Sequence, residues 1–154
     1  RGHGDSVCCL DVDWSSNRAL SGSSDQTLIL WCLATGESSQ GFLGHTDSVE
    51  CVTVDWTRQL ALSTGRDGAA ILWDLESSER IHKLTGHDGT VSCVSVDWDN
   101  RAALTGGADS TLRLWDLKQG VLREAFTGHA AAITCMSVDW AAQQALSGSQ
   151  DLTL

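Results

Sequence analysis

The residues TGHDGTVSCVSVDWDNRAALTGGADSTLRLWDLKQGVLREAF (Thr85–Phe126) decide how this chain is read, because they form one copy of a recurring unit. Within them VSCVSVDW (91–98) mixes β-branched with small residues, and AALTGG (102–107) follows a short polar turn. TLRLWDL (111–117) comes after the turn ADS, and VLREAFTG (121–128) after Lys118-Gln119-Gly120. Short runs of this kind, bounded by Gly, Asp, Asn and Ser, predict four strands in an antiparallel meander. No stretch carries a 3.6-residue apolar period, so helices are not expected. The first strand has apolar or small residues on both faces, which suits a sheet sandwiched between neighbours.

Outward from that unit the spacing is constant. Gly-His recurs at 2–3, 44–45, 86–87 and 128–129, and Val-Asp-Trp ends at Trp14, Trp56, Trp98 and Trp140. Asp25, Asp67, Asp109 and Asp151 keep the same 42-residue step, as do Trp31, Trp73 and Trp115. Nothing is inserted or deleted between copies. The chain therefore divides into repeats 1–42, 43–84, 85–126 and an incomplete 127–154 within a single region, 1–154. Self-similarity at such a period is the mark of a repeat architecture.

A 42-residue unit of four strands, with Gly-His near its start and Trp-Asp in its third strand, resembles the WD-repeat family of β-propellers. The resemblance spans the whole chain. It rests on Gly44-His45 with Trp73-Asp74 and on Gly86-His87 with Trp115-Asp116. The first unit departs from it, reading Gly2-His3 but Trp31-Cys32. Where the family commonly has a Ser-Pro-Asp-Gly-like turn after the first strand, this chain has Asp-Trp and no proline anywhere. The fold implied is an all-β, WD-type propeller of four-stranded antiparallel blades, with about 3.7 blades present. The expectation is a partial or open propeller, an interior piece of a longer one of about seven blades. The ending ALSGSQDLTL is read as a second strand, a turn with Asp151 and the opening of a third strand.

Composition bounds the function. The 154 residues suffice for one domain with a core. The formal net charge of −10, from 20 acidic and 10 basic residues, argues against binding nucleic acid or acidic membranes, which runs on Lys and Arg. No run approaches the ~18 apolar residues of a membrane helix. Cys9, Cys51, Cys93 and Cys135 keep the repeat step, so they read as one buried, free-thiol position rather than as pairs. That usage points to a reducing, intracellular setting, cytoplasmic or nuclear. With no Cys-x-x-Cys, no metal or other cofactor is expected.

Each unit also carries a His, a hydroxyl, an Asp and a Trp at fixed offsets: His3, Ser21, Asp25, Trp31; His45, Ser63, Asp67, Trp73; His87, Thr105, Asp109, Trp115; and His129, Ser147, Asp151. A Ser, His and Asp together invite a hydrolase reading. Their recurrence in every unit speaks for structure instead. Chained as Trp–Ser/Thr–His–Asp, each buried polar group finds a partner, avoiding about 1–3 kcal/mol per unsatisfied group. The resemblance implies the same arrangement. The Val-Asp-Trp indoles are expected to plug the junctions between blades, the rival being an exposed ring of hot-spot indoles.

Function is sought where the units differ on exposed loops. After Gly-His they read GDSVC, TDSVE, DGTVS and AAAIT, and the residue before the turn Asp is Ser24, Arg66, Ala108 or Gln150. The candidate partner surface is therefore Asp47, Ser48, Glu50 and Arg66, continuing through Asp88, Thr90 and Ser92. No phosphate loop or nucleophile elbow occurs, so an enzyme is not expected. The resemblance implies a scaffold or adaptor for other proteins or peptides, with self-association through exposed blade faces as a further expectation. The alternative is the substrate-recognition subunit of a multiprotein enzyme complex such as a ubiquitin ligase.

Overall fold

The computed structural model describes residues 2–154, and among them there are fourteen strands and no helix. β1 (Val7–Asp13), β2 (Arg18–Ser23), β3 (Thr27–Cys32) and β4 (Glu37–Leu43) form one antiparallel sheet in chain order. β5 (Val49–Asp55), β6 (Leu60–Gly65), β7 (Ala69–Asp74) and β8 (Arg80–Thr85) form the second. β9 (Val91–Asp97), β10 (Ala102–Gly107), β11 (Leu112–Asp116) and β12 (Val121–Phe126) form the third. β13 (Ile133–Asp139) and β14 (Gln144–Ser149) pair alone. Past the turn at Asp151, Ser149 N–H donates to Thr153 O at 3.3 Å, but Thr153 and Leu154 do not join the sheet as a third strand.

The Asp of each Val-Asp-Trp triplet makes the first turn. Asp55 accepts from the N–H groups of Thr57 and Arg58, both at 3.0 Å, and Asp97 accepts from Asp99 and Asn100. A side chain that mimics a backbone acceptor in this way stabilises a turn without proline. The chain then reverses through a left-handed residue, Asn17, Gln59, Arg101 or Gln143, with φ of 55°, 54°, 52° and 55°. The turn between third and fourth strands uses Asp74 and Asp116 similarly.

The cores lie between sheets, not within one. Leu20, Leu28, Leu30 and Phe42 pack against Val49, Ala61, Ile71 and Trp73. Leu62, Ala70, Leu72 and Leu84 pack against Ala103, Trp115 and Leu117. Glycine is needed where the next sheet approaches closest. A Cβ on Gly22 would sit 2.5 Å from Val49 Cγ1, and one on Gly106 would sit 2.9 Å from Ile133 Cγ2.

The Val-Asp-Trp indoles reach back to the preceding sheet. Trp56 Nε1–H donates to Asp11 Oδ1 at 2.9 Å under the Arg18 guanidinium, 5.2 Å from the ring centre. Trp140 donates to Ser95 Oγ at 3.1 Å, and Trp98 packs on the second core. Trp14, with no sheet before it, is 78% exposed. The repeated cysteines divide in the same manner. Burial pushes the thiols of Cys9 and Cys93 up, to about 12 and about 11, and Cys51 up as well. Cys135, expected to be buried, is exposed, because among the described residues no further sheet lies over β13 and β14.

Candidate functional site

Three units hold the same chain of hydrogen bonds. The Nε1–H groups of Trp31, Trp73 and Trp115 donate to Ser21, Ser63 and Thr105 at 2.7, 2.9 and 2.8 Å. Those hydroxyls lie 2.7, 2.8 and 2.8 Å from Nε2 of His3, His45 and His87. On the far side Nδ1 of each ring meets Asp25, Asp67 or Asp109 at 3.0 Å. In the fourth unit His129 lies 2.9 Å from both Ser147 and Asp151, with no indole beyond. A carboxylate only accepts, so the proton of a neutral imidazole sits on Nδ1 facing it, which leaves Nε2 to accept from the hydroxyl while the hydroxyl accepts from the indole.

The same carboxylates accept backbone N–H groups from the loop ahead of the first strand: Gly4, Thr46, Asp88 and Ala130. Loop, second strand and third strand are thereby tied together. Burial pushes His45 and His87 below the ordinary imidazole range, more than their carboxylate partners pull them up. Burial alone would raise Asp67 and Asp109. The bonds from His45 and the Thr46 N–H outweigh it at Asp67, and those from His87, Asp88 N–H and Thr111 bring Asp109 down to about 2. Ser63 and Thr105 are fully buried and their protons are committed. Ser63 and Thr105 are thereby closed off from solvent inside the second and third sheets.

The exposed rim is built on this network. In each unit the residue before the turn Asp donates its N–H back to the loop: Ser24 to Ser6 O, Arg66 to Ser48 O, Ala108 to Thr90 O and Gln150 to Ala132 O, at 2.8–2.9 Å. The side chains that differ between units are thus set side by side. On the second sheet Arg66 Nε–H donates to Glu50 Oε1 at 2.7 Å, and Asp47 stands exposed next to them. Asp88 is exposed and Thr90 half-buried one sheet further on.

Of the residues read as surface, Ser48 is buried and Ser92 half-buried. Ser48 is 4% exposed, its Oγ facing Ser24 Oγ at 3.2 Å. The single hydroxyl proton of Ser92 faces Ile133 O at 2.5 Å, with Gly106 O at 3.2 Å. Both are occupied at junctions between sheets. Cys8 was missed: exposed at this rim, its Sγ lies 3.3 Å from Ser24 Oγ. The signal was available, since Cys8 and Ser24 stand one period before Glu50 and Arg66. Among the described residues no group of three or more His, Cys, Asp or Glu is placed to hold a metal ion. No helix among them is long and apolar enough to cross a membrane.

Comparison with known proteins points one way. The family model described as "WD domain, G-beta repeat" matches residues 1–32, 36–74 and 78–116. No curated protein matches the chain. Among solved structures the chain is similar to the computationally designed Ika8 protein, with a TM-score of 0.87 and 24% identity over 99% of this chain and 45% of that one. It is similar to U3-55K and to the RRP9 WD40 repeats, each with a TM-score of 0.80 and 22% identity over 88% of this chain and 43% of the other. The chain thus spans less than half the length of these structures.

Proposed function

The chain belongs to the WD-repeat family, and from that premise we propose that it works as a non-catalytic scaffold that docks another protein or peptide on its Gly-His rim. WD-repeat domains generally serve protein interaction. The observation that carries the reading is the Arg66–Glu50 pair with Asp47 beside it, the most charged stretch of the rim. At the corresponding positions the other units hold Cys8 and Ser24, Ser92 and Ala108, or Thr134 and Gln150. The scaffold beneath is invariant while this edge varies, which is the pattern of a recognition surface on a rigid frame. Asp88 and Thr90 extend the same surface. A partner with a basic or neutral docking segment suits the overall charge of −10 better than a nucleic acid does.

Affinity capture with quantitative mass spectrometry tests this. Proteins held by the wild-type chain and by a Lys118→Glu control should be lost from Arg66→Glu. Retention of every partner by Arg66→Glu would sink the assignment of the rim.

A further inference from the structure

The three junctions between sheets follow one plan, and the middle one lacks the polar ties that fasten the other two at their inner strands. At the first junction Asp11 takes the Trp56 Nε1–H and the Val54 N–H, both at 2.9 Å. Arg18 covers that indole and donates to Gln59 Oε1 at 2.7 Å. At the third junction Ser95 Oγ takes the Trp140 indole at 3.1 Å, and Ser92 reaches Ile133 O. At the middle junction Thr53 holds the place of Asp11 and Ser95, and Leu60 that of Arg18. Among the described residues the Trp98 indole has no acceptor and only packs on the second core. Thr64 departs from the plan too. Its counterparts are Gly22 and Gly106, where the next sheet approaches closest. Thr64 is fully buried, and among the described residues its Oγ1 is the one buried side-chain polar atom without a hydrogen-bond partner. Apolar packing is common to both inner junctions, with Val94 and Val96 on the second core as Val52 and Val54 are on the first. The polar links left to the middle one are the exposed Arg58–Asp99 pair at 2.7 Å and a 3.4 Å contact of His82 Nε2 with Lys118 O. Exposed pairs of that kind contribute little.

We propose that the second and third sheets part transiently at their inner strands, hinged on Leu72, Leu84 and Leu117, and that this seam divides the docking rim into two movable halves. Opening lets water reach Thr64 Oγ1 and the Trp98 indole, two groups that closure leaves unmatched. The first junction has no such gain, since its indole and its carboxylate are already paired. Arg66, Glu50 and Asp47 stand on one side of the seam, and Asp88 and Thr90 on the other. A partner that touches both halves selects the closed form and holds it, so docking and closure are coupled. That consequence rests on the scaffold reading. The seam itself does not.

The repeated cysteines report on each junction. Cys9 stands opposite Gly22 at the first and Cys51 opposite Thr64 at the middle one, and both are half-buried. Burial pushes both thiols up, so both are poor nucleophiles while the sheets are closed, and alkylation by N-ethylmaleimide reads opening. In the native 154-residue chain Cys51 should react roughly tenfold or more faster than Cys9, resolved by peptide mass spectrometry. Thr64→Val is close in shape, removes the hydroxyl, and should slow Cys51 while leaving Cys9 unchanged. Equal rates at Cys9 and Cys51 overturn the proposal, and so does a folded Thr64→Val chain with an unchanged Cys51 rate. The wild-type comparison needs no variant, so it decides the matter even if Thr64→Val does not fold. Neither result bears on capture by Arg66→Glu, so the seam and the scaffold reading fail separately.

Discussion

His45 and His87 each touch a carboxylate at 3.0 Å, yet burial leaves both imidazoles harder to protonate than in water. The consequence for stability has a definite sign. Between the lowered folded value and the ordinary imidazole value of 6.5 the unfolded chain takes protons that the folded chain refuses, so stability falls as pH drops through 6.5. Asp67 and Asp109 are lowered too, which brings a second loss below 3.8, extending towards about 2 for Asp109. Melting temperature should therefore decline in two steps on acidification. In His87→Gln the upper step should shrink while the lower one persists; an upper step of unchanged size would rule out this origin. The offsets of these residues are legible in the sequence because the period carries them. Which way a rim side chain turns is not, as Ser48 and Asp47 show. They are adjacent, and only the position of the neighbouring sheet makes one buried and the other exposed.

At the scale of an element, the turns decide where strands begin and end, and aspartate does the work that proline and glycine do elsewhere. Asp116 accepts the N–H groups of Lys118 and Gln119 at 2.8 and 2.9 Å, and Asp74 accepts those of Glu76 and Ser77 at 2.8 and 3.0 Å. In the first unit the position is Cys32, whose thiol is a poor acceptor for the same two groups. The turn is otherwise the same, with Leu33, Leu75 and Leu117 donating to Asn17, Gln59 and Arg101 at 2.7–2.8 Å. Cys32→Asp should accordingly stabilise the chain by about 1 kcal/mol, raising the melting temperature by roughly 3 °C. An unchanged or lower melting temperature in thermal unfolding would contradict this. Strand order and length were readable from turn residues and β-branched runs. The left-handed φ at Gln59, Arg101 and Gln143 was not, because none is a residue that favours it.

At the scale of the 154-residue stretch the governing fact is that cores form between sheets, so among the described residues the first and last sheets each have an apolar face with no sheet of this stretch over it. Val49, Val91 and Ile133 are essentially fully buried against the sheet before them, whereas their counterpart Val7 is 53% exposed. Leu10 and Trp14 share that outer face, and Leu146 is exposed on the fourth sheet. The period made it legible that these faces are copies of one interface. What covers them is not written in either face. Being copies, the two are complementary: Val7 matches the residues seated at Gly22 and Gly106, and Gly148 matches those glycines. Ser137 likewise stands where Ser95 receives the indole of Trp140, and Trp14 is the donor that fits it. Such a contact is head-to-tail, so copies of the chain should add end to end, closing into a ring or extending. The charge of −10 on every copy opposes the approach, and salt screens it. Sedimentation equilibrium should therefore give a mass above 16.5 kDa that grows with protein concentration and with added salt. Val7→Asp, which puts a carboxylate into the glycine seat, should hold the mass near the monomer value. A wild-type chain that stays monomeric across the concentration and salt series would show that the two faces, though copies of the inner junctions, do not recognise each other in trans.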